Sequence, residues 1–152
     1  ECLEHSTEPE NFALQVYDLL APGGVLVVAV PNDFTAGQYE ACRRYKIPPW
    51  WVSIPDHQHY FTPATLKLLL RRCGFTIRYV RMTFPLIEHF MLEKGECYVG
   101  DPALGRACHR QRMLYELRMI QAGQWKEVES EYIANVERRR GREIIMVCTK
   151  SV

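Results

Sequence analysis

Apolar and polar positions follow two rhythms along this chain, and the points where the rhythm changes mark its elements. Residues 25–30, VLVVAV, form an apolar run rich in β-branched valine, with Gly23-Gly24 before it and Pro31-Asn32 after it. A run this short between turn residues predicts a strand covered on both faces, the kind found in parallel sheets flanked by helices. Ligands of such sheets bind just past the carboxyl ends of the strands, so Pro31, Asn32 and Asp33 stand where function is expected.

On the amino-terminal side the rhythm is helical. Phe12, Val16, Leu19 and Leu20 fall at i, i+4, i+7 and i+8 and predict an amphipathic helix. Ser6 or Thr7 is its expected N-cap, Pro9 sits in its first turn, and Ala21-Pro22-Gly23-Gly24 stops it. Residues 1–3 read as the tail of an earlier strand, which makes strand, helix and strand a right-handed βαβ unit.

Beyond residue 33 a short helix over 36–45 is expected, then an irregular segment at Ile47-Pro48-Pro49-Trp50-Trp51, because two prolines remove backbone donors. Its aromatic residues form either a lid or pocket wall, or a plug over the core. Thr62 and Pro63 open a helix whose apolar stripe is Leu66, Leu69, Leu70 and Cys73, and Gly74 closes it. Residues 75–82 then predict a strand, and 143–149, EIIMVCT, a last one. Between them, 85–140 carries dense charge with helical stripes at Met113, Leu114, Leu117 and Ile120 and at Trp125, Val128, Tyr132 and Val136. Breaks are expected near Gly100-Asp101-Pro102 and Ala122-Gly123.

Composition narrows the function classes. A length of 152 residues suits one domain, and a net charge of +1 gives no reason to expect nucleic acid or an anionic membrane as partner. No apolar run approaches the ~20 residues that span a bilayer, and the amino terminus lacks the basic start of a signal peptide. Cysteines at 2, 42, 73, 97, 108 and 148 include no CxxC pair, which favours free or buried thiols in a reducing cytoplasm. The basic cluster Arg138-Arg139-Arg140-Gly141-Arg142 complements a helix end, with phosphate binding as the alternative.

Taken in order, ECLEH, LLAPGGVLVVAVPN and HYFTPATLKLLLRRCGFTI resemble the carboxyl-terminal half of class I S-adenosylmethionine-dependent methyltransferases, in the ubiquinone-biosynthesis-like branch. The resemblance covers residues 1–82 and the closing strand, and YVGDPALGRACHRQRMLYE looks like an insertion of one bacterial subgroup. It implies an α/β, Rossmann-like methyltransferase fold: a seven-stranded sheet whose last strand runs antiparallel between its two predecessors. On that mapping residues 1–3 end the fourth strand, 25–30 are the fifth, 75–82 the sixth and 143–149 the seventh. The whole chain, 1–152, is then a partial methyltransferase domain, with 85–140 a helical insertion before the last strand. The family's glycine-rich loop and its ribose-binding acid would lie upstream of Glu1. Gly23-Gly24 is no substitute, because it precedes a strand instead of linking strand to helix.

The resemblance implies S-adenosylmethionine as cofactor, with Glu1, Cys2, Leu3 and His5 as cofactor-side candidates. His5 faces the site or serves the following helix. His57 and His59 are the candidate catalytic bases, since imidazole titrates near neutral pH. Packing and capping of the Thr62 helix is their alternative role. Their HxH spacing in an extended segment turns both rings to one side, but no third ligand stands nearby, so no metal is expected. Asn32, Tyr60 and Trp51 are candidates for acceptor contact, Asn32 alternatively satisfying turn backbone and Tyr60 alternatively packing in the core. Cys108-His109 reads as bland surface.

Two functions follow. The first is a methyltransferase fragment, inactive alone, that acts on a small-molecule acceptor reached past the 85–140 helices. The second is a non-catalytic scaffold that docks through those helices.

Overall fold

The computed structural model describes residues 2–151. Its sheet has three strands among the described residues: β1 (Val25–Pro31), β2 (Phe75–Met82) and β3 (Glu143–Lys150), in the order β1-β3-β2. β3 pairs antiparallel with both neighbours, so β1 and β2 run the same way with the last strand reversed between them. Ile144 of β3 lies opposite Val30 on one side and Met82 on the other. Alternation along β3 then drops Ile144, Met146 and Cys148 into one core. Burial pushes the Cys148 thiol up to about 11, which suits an inert packing residue.

The helices α1 (Pro9–Leu19) and α3 (Pro63–Arg72) contribute Ala13, Leu66 and Leu70 to the same core. The start of α3 is the one the sequence predicts. Thr65 N donates to Thr62 Oγ1 (3.2 Å) and Thr62 N donates to Thr65 Oγ1 (2.9 Å), a reciprocal capping box. Thr62→Ala removes one arm of it and is expected to cost about 1 kcal/mol in equilibrium urea unfolding.

Three expectations are corrected. First, β1 is not covered on both faces: Val25 and Val27 are 57% and 61% exposed, while Leu26 and Val28 pack toward the core. α1 and α3 cover one face of the sheet, and an apolar groove of about 260 Å³ runs beside β1 past Leu3, Phe12 and Ala13. Second, Leu3 belongs to a 3₁₀ turn, Leu3–His5, instead of a strand tail. Third, α1 takes Glu8 as its N-cap and turns Ala13, Val16, Tyr17 and Leu20 inward, leaving Leu19 86% exposed. Tyr17 sets that rotation. Its ring packs edge-on against Phe75 at 5.0 Å, and the Lys150 ammonium lies 4.6 Å above it.

The charged region holds a π-helix (Ile87–Glu93), then α4 (Pro102–Gln121) and α5 (Trp125–Arg138). Phe84, Phe90, Cys108, Val128 and Tyr132 form its own small core. Arg81 of β2 ties α5 to the sheet through Glu129 at 3.0 Å and lies over the Tyr132 ring. The apolar stripe of α4 is exposed at Met113, Leu117 and Ile120. α4 docks through Leu104, Cys108 and Met119 on its other face, and Tyr132 of α5 donates to Glu116 (2.9 Å), whose other oxygen accepts from Arg112 one turn earlier in α4 (2.8 Å). Among the described residues no helix is long and apolar enough to cross a membrane.

Candidate active site

The carboxyl end of β1 is where the chain concentrates buried polar chemistry. Asn32, fully enclosed there, spends both amide hydrogens on the α5–β3 turn, donating to the carbonyls of Arg139 (3.0 Å) and Gly141 (2.9 Å). Its backbone N donates to Arg142 O at 2.9 Å. Asn32 is therefore the strap that holds Arg142 beside the end of β1.

Asp33 follows, 5% exposed. Its neighbour helix α2 (Ala36–Tyr45) begins with a capping box in which Gln38 is used twice. The Gln38 carbonyl accepts from Thr35 N (2.7 Å), and its amide donates to Asp33 Oδ1 (3.2 Å). Burial raises the Asp33 pKa above the usual carboxylate range, opposed by that hydrogen bond and by His57 and reinforced by the charge of Glu4.

Asp33 opens into a cavity of about 350 Å³ whose wall includes Trp50, Trp51, His57, Tyr98, His109 and Arg142. The two tryptophans stand perpendicular with centroids 5.0 Å apart, and Trp51 is braced edge-on by Phe34 and Tyr39. The indole N–H of Trp51 is buried without a hydrogen-bond partner among the described residues. His109 has its pKa lowered by burial, then by Arg142 and Arg112, and its Nε2 accepts from Arg142 at 3.4 Å. The imidazole there is accordingly neutral at pH 7. Burial pushes the Tyr98 phenol up, so it stays protonated.

His57 reaches the cavity on a loop fastened to the amino terminus. Gln58 N and His59 N donate to Glu4 O at 2.8 and 3.1 Å, and His5 Nδ1 donates to Asp56 O at 2.9 Å. The rings of His5 and His57 stack edge-on at 4.8 Å. Tyr60 supports the loop from behind, its hydroxyl accepting from Ser53 N (3.1 Å) and its ring meeting Phe34.

The structure thus brings His57 and Trp51 together at the cavity. His59 lies instead near Phe61. Asn32 and Tyr60 hold the frame, Leu3 is buried in the sheet core, Cys2 edges the groove beside β1, and Glu1 lies outside the described residues. The expectation of no metal rested on a missing third ligand near His57, and the fold supplies carboxylate and imidazole from Glu4 and His5. His109, expected at a bland surface, lines the cavity, and Cys108 beside it is buried. Tyr98 and Glu4 were missed because neither belongs to a pattern that marks a site, and Arg142 was read only as part of the basic cluster 138–142.

A family model described as a methyltransferase domain matches residues 1–80. No curated protein matches. Among solved structures, two of a Haemonchus contortus phosphoethanolamine N-methyltransferase 2 are similar in part, one with phosphomonomethylethanolamine and S-adenosylhomocysteine and one with S-adenosyl-L-methionine. Each is 12% identical, is matched over 100% of this chain and 32% of its own, and has a TM-score of 0.45. The chain spans about a third of the length of those structures.

Proposed function

This chain belongs to the methyltransferase-domain family, and on that footing we propose that it forms the acceptor side of an S-adenosylmethionine-dependent methyltransferase of the ubiquinone-biosynthesis-like branch, acting on a small molecule. The observation that carries the reading is Asp33: a buried carboxylate with a raised pKa, at the carboxyl end of β1, opening into an aromatic-walled cavity opposite His57. A buried carboxylate that faces a cavity with its pKa raised is placed to accept a proton from a bound group.

The residues present fit the acceptor. Trp50 and Trp51 give flat walls that exclude water and align a ring or a chain, and Arg142 with neutral His109 offers hydrogen bonds to an electron-rich group. Asp33 receives the proton of the acceptor's O–H or N–H group, and Gln38 keeps the carboxylate from turning away. S-adenosylmethionine supplies an electrophilic methyl group on a sulfonium.

The residues present do not fit the nucleoside portion of that donor. Gly24 faces its own turn, where an added Cβ would meet Ala21 O at 2.8 Å, so Gly23-Gly24 forms no phosphate- or ribose-type cradle. Of the cofactor-side candidates, His5 stands nearest the cavity through its ring contact with His57.

The test uses the longest polypeptide that the reading frame encodes. It is incubated with methyl-labelled S-adenosylmethionine and a small-molecule extract. Label recovered in a low-mass product, and lost in Asp33→Asn, is the expected result. Label only in protein or nucleic acid contradicts the small-molecule reading.

A second reading has one observation in its favour. The exposed Met113, Leu117 and Ile120 stripe of α4 suits a docking role for the 85–140 helices. An unlabelled extract together with a stable stoichiometric complex on gel filtration would favour it.

A further inference from the structure

The geometry points to a divalent transition-metal site built by Glu4, His5 and His57. Each offers one ligand atom, and the three atoms lie within 4.8 Å of one another. Ligands at about 2.0–2.2 Å from one ion stand roughly 3–4 Å apart, so closing the set needs about 1 Å of side-chain movement and no change of backbone.

Three features of the cluster are hard to explain without a cation. Glu4 is 2% exposed, yet its Oε2 has no hydrogen-bond partner among the described residues. A buried carboxylate is normally paired or bound to metal. His57 likewise keeps Nδ1 buried and without a hydrogen-bond partner among the described residues. His5 is already oriented as a ligand. A carbonyl oxygen can only accept, so the 2.9 Å contact with Asp56 O places the proton on Nδ1 and leaves the Nε2 lone pair free, 3.8 Å from Glu4 Oε1. A backbone carbonyl holding the far nitrogen is the usual outer support of a metal-binding histidine. The two backbone bonds from Gln58 and His59 to Glu4 O fix the loop that carries His57 against the turn that carries the other two.

Two imidazoles and one carboxylate select Zn²⁺, Mn²⁺, Fe²⁺ or Co²⁺ over Mg²⁺ or Ca²⁺, which prefer oxygen sets. Three protein ligands leave coordination positions free, and His57 also lines the acceptor cavity. An acceptor oxygen bound there would lose its proton more readily, with Asp33 to receive it. The binding stands on the cluster alone, whereas this role rests on the acceptor-site reading.

The 152-residue chain, freed of metal by chelator and dialysed, is titrated with Co²⁺ and read by the visible absorption of the bound ion, with Zn²⁺ as competitor. The expected result is one equivalent per chain, displaced by Zn²⁺. Glu4→Gln, which keeps side-chain volume, and His57→Asn, on the loop, should each weaken binding at least about tenfold. His59→Asn should leave it unchanged. Thermal unfolding gives a second readout: Zn²⁺ should raise the melting temperature of the wild type and of His59→Asn only. No stoichiometric binding by the wild type, or equal binding by the Glu4 and His57 variants, overturns the site. With the longest polypeptide, methyl transfer that survives chelation overturns the role while the site stands. Absence of methyl transfer from metal-loaded protein counts against the acceptor-site reading and leaves the binding result untouched.

Discussion

Asp33→Asn lowers methyl-transfer turnover by about 10²–10⁴-fold, the usual worth of a positioned general base, and at the same time raises the melting temperature. Opposite signs in function and stability separate a working carboxylate from a structural one. The stability gain follows from burial. Ionised Asp33 is held in a site where desolvation is the largest influence on it and lifts its pKa. Asparagine keeps an oxygen for the Gln38 amide at 3.2 Å and carries no charge to desolvate. The pH dependence has a definite sign. A carboxyl whose folded pKa lies above its unfolded value of 3.8 binds more protons in the native state within that window. Wild-type stability therefore rises as pH falls through the raised folded value, and the advantage of Asp33→Asn shrinks until it levels off below the unfolded value. Thermal unfolding of both proteins across a pH series checks this, and single-turnover kinetics check the loss of rate.

Gly141→Ala is expected to be the most destabilising single methyl group in the chain. Gly141 has φ +122°, outside the range other residues adopt, and an added Cβ would stand 2.6 Å from Thr83 O and 2.7 Å from Met82 Cβ. Neither neighbour can swing aside. Thr83 is fixed by its N–H bond to Glu143 O (3.0 Å), and Met82 is wholly buried. Backbone strain of about 1–3 kcal/mol and overpacking of a similar size add to roughly 2–6 kcal/mol. The same turn accepts from Asn32 and sets Arg142, so the variant should also lose the cavity's basic wall. Gly123→Ala is the control. Its φ is +70° with nothing within 4 Å of an added Cβ, and it should cost only about 1 kcal/mol. Urea midpoints of the three proteins give the comparison.

What was legible in the sequence was whatever a local rule encodes. Thr62-Pro63 and Gly74 bracket α3 because a cap, a first-turn proline and a left-handed glycine act within a few residues. The sheet order β1-β3-β2 was accessible only through the motif resemblance, since residues 25–30 and 143–149 carry no mark of being neighbours. The misreadings share a cause in tertiary contact. Hydrophobic spacing placed Leu19 inside α1, but the Tyr17–Phe75 contact rotates the helix away from it. The apolar spacing picked out Met113, Leu117 and Ile120 of α4, whereas the helix packs through Leu104, Cys108 and Met119 and through Tyr132 bound to Glu116. At the site, Asp33 was foreseeable because it lies just past the carboxyl end of a strand. Glu4, Tyr98, His109 and Arg142 come from four separate segments, and their convergence is set by Asn32 and the Glu4 carbonyl bonds, which no spacing rule reports.

The central claim is that this chain forms the acceptor side of a methyltransferase, and calorimetric titration of S-adenosylhomocysteine tests it most directly. The sample is the longest polypeptide its reading frame encodes, compared with the 152-residue chain and with the Asp33→Asn form of the longer protein. The account predicts one site per polypeptide in the longer protein, no binding by the 152-residue chain, and unchanged affinity in Asp33→Asn. A folded longer protein that takes up no S-adenosylhomocysteine, or a 152-residue chain that binds it alone, would contradict it.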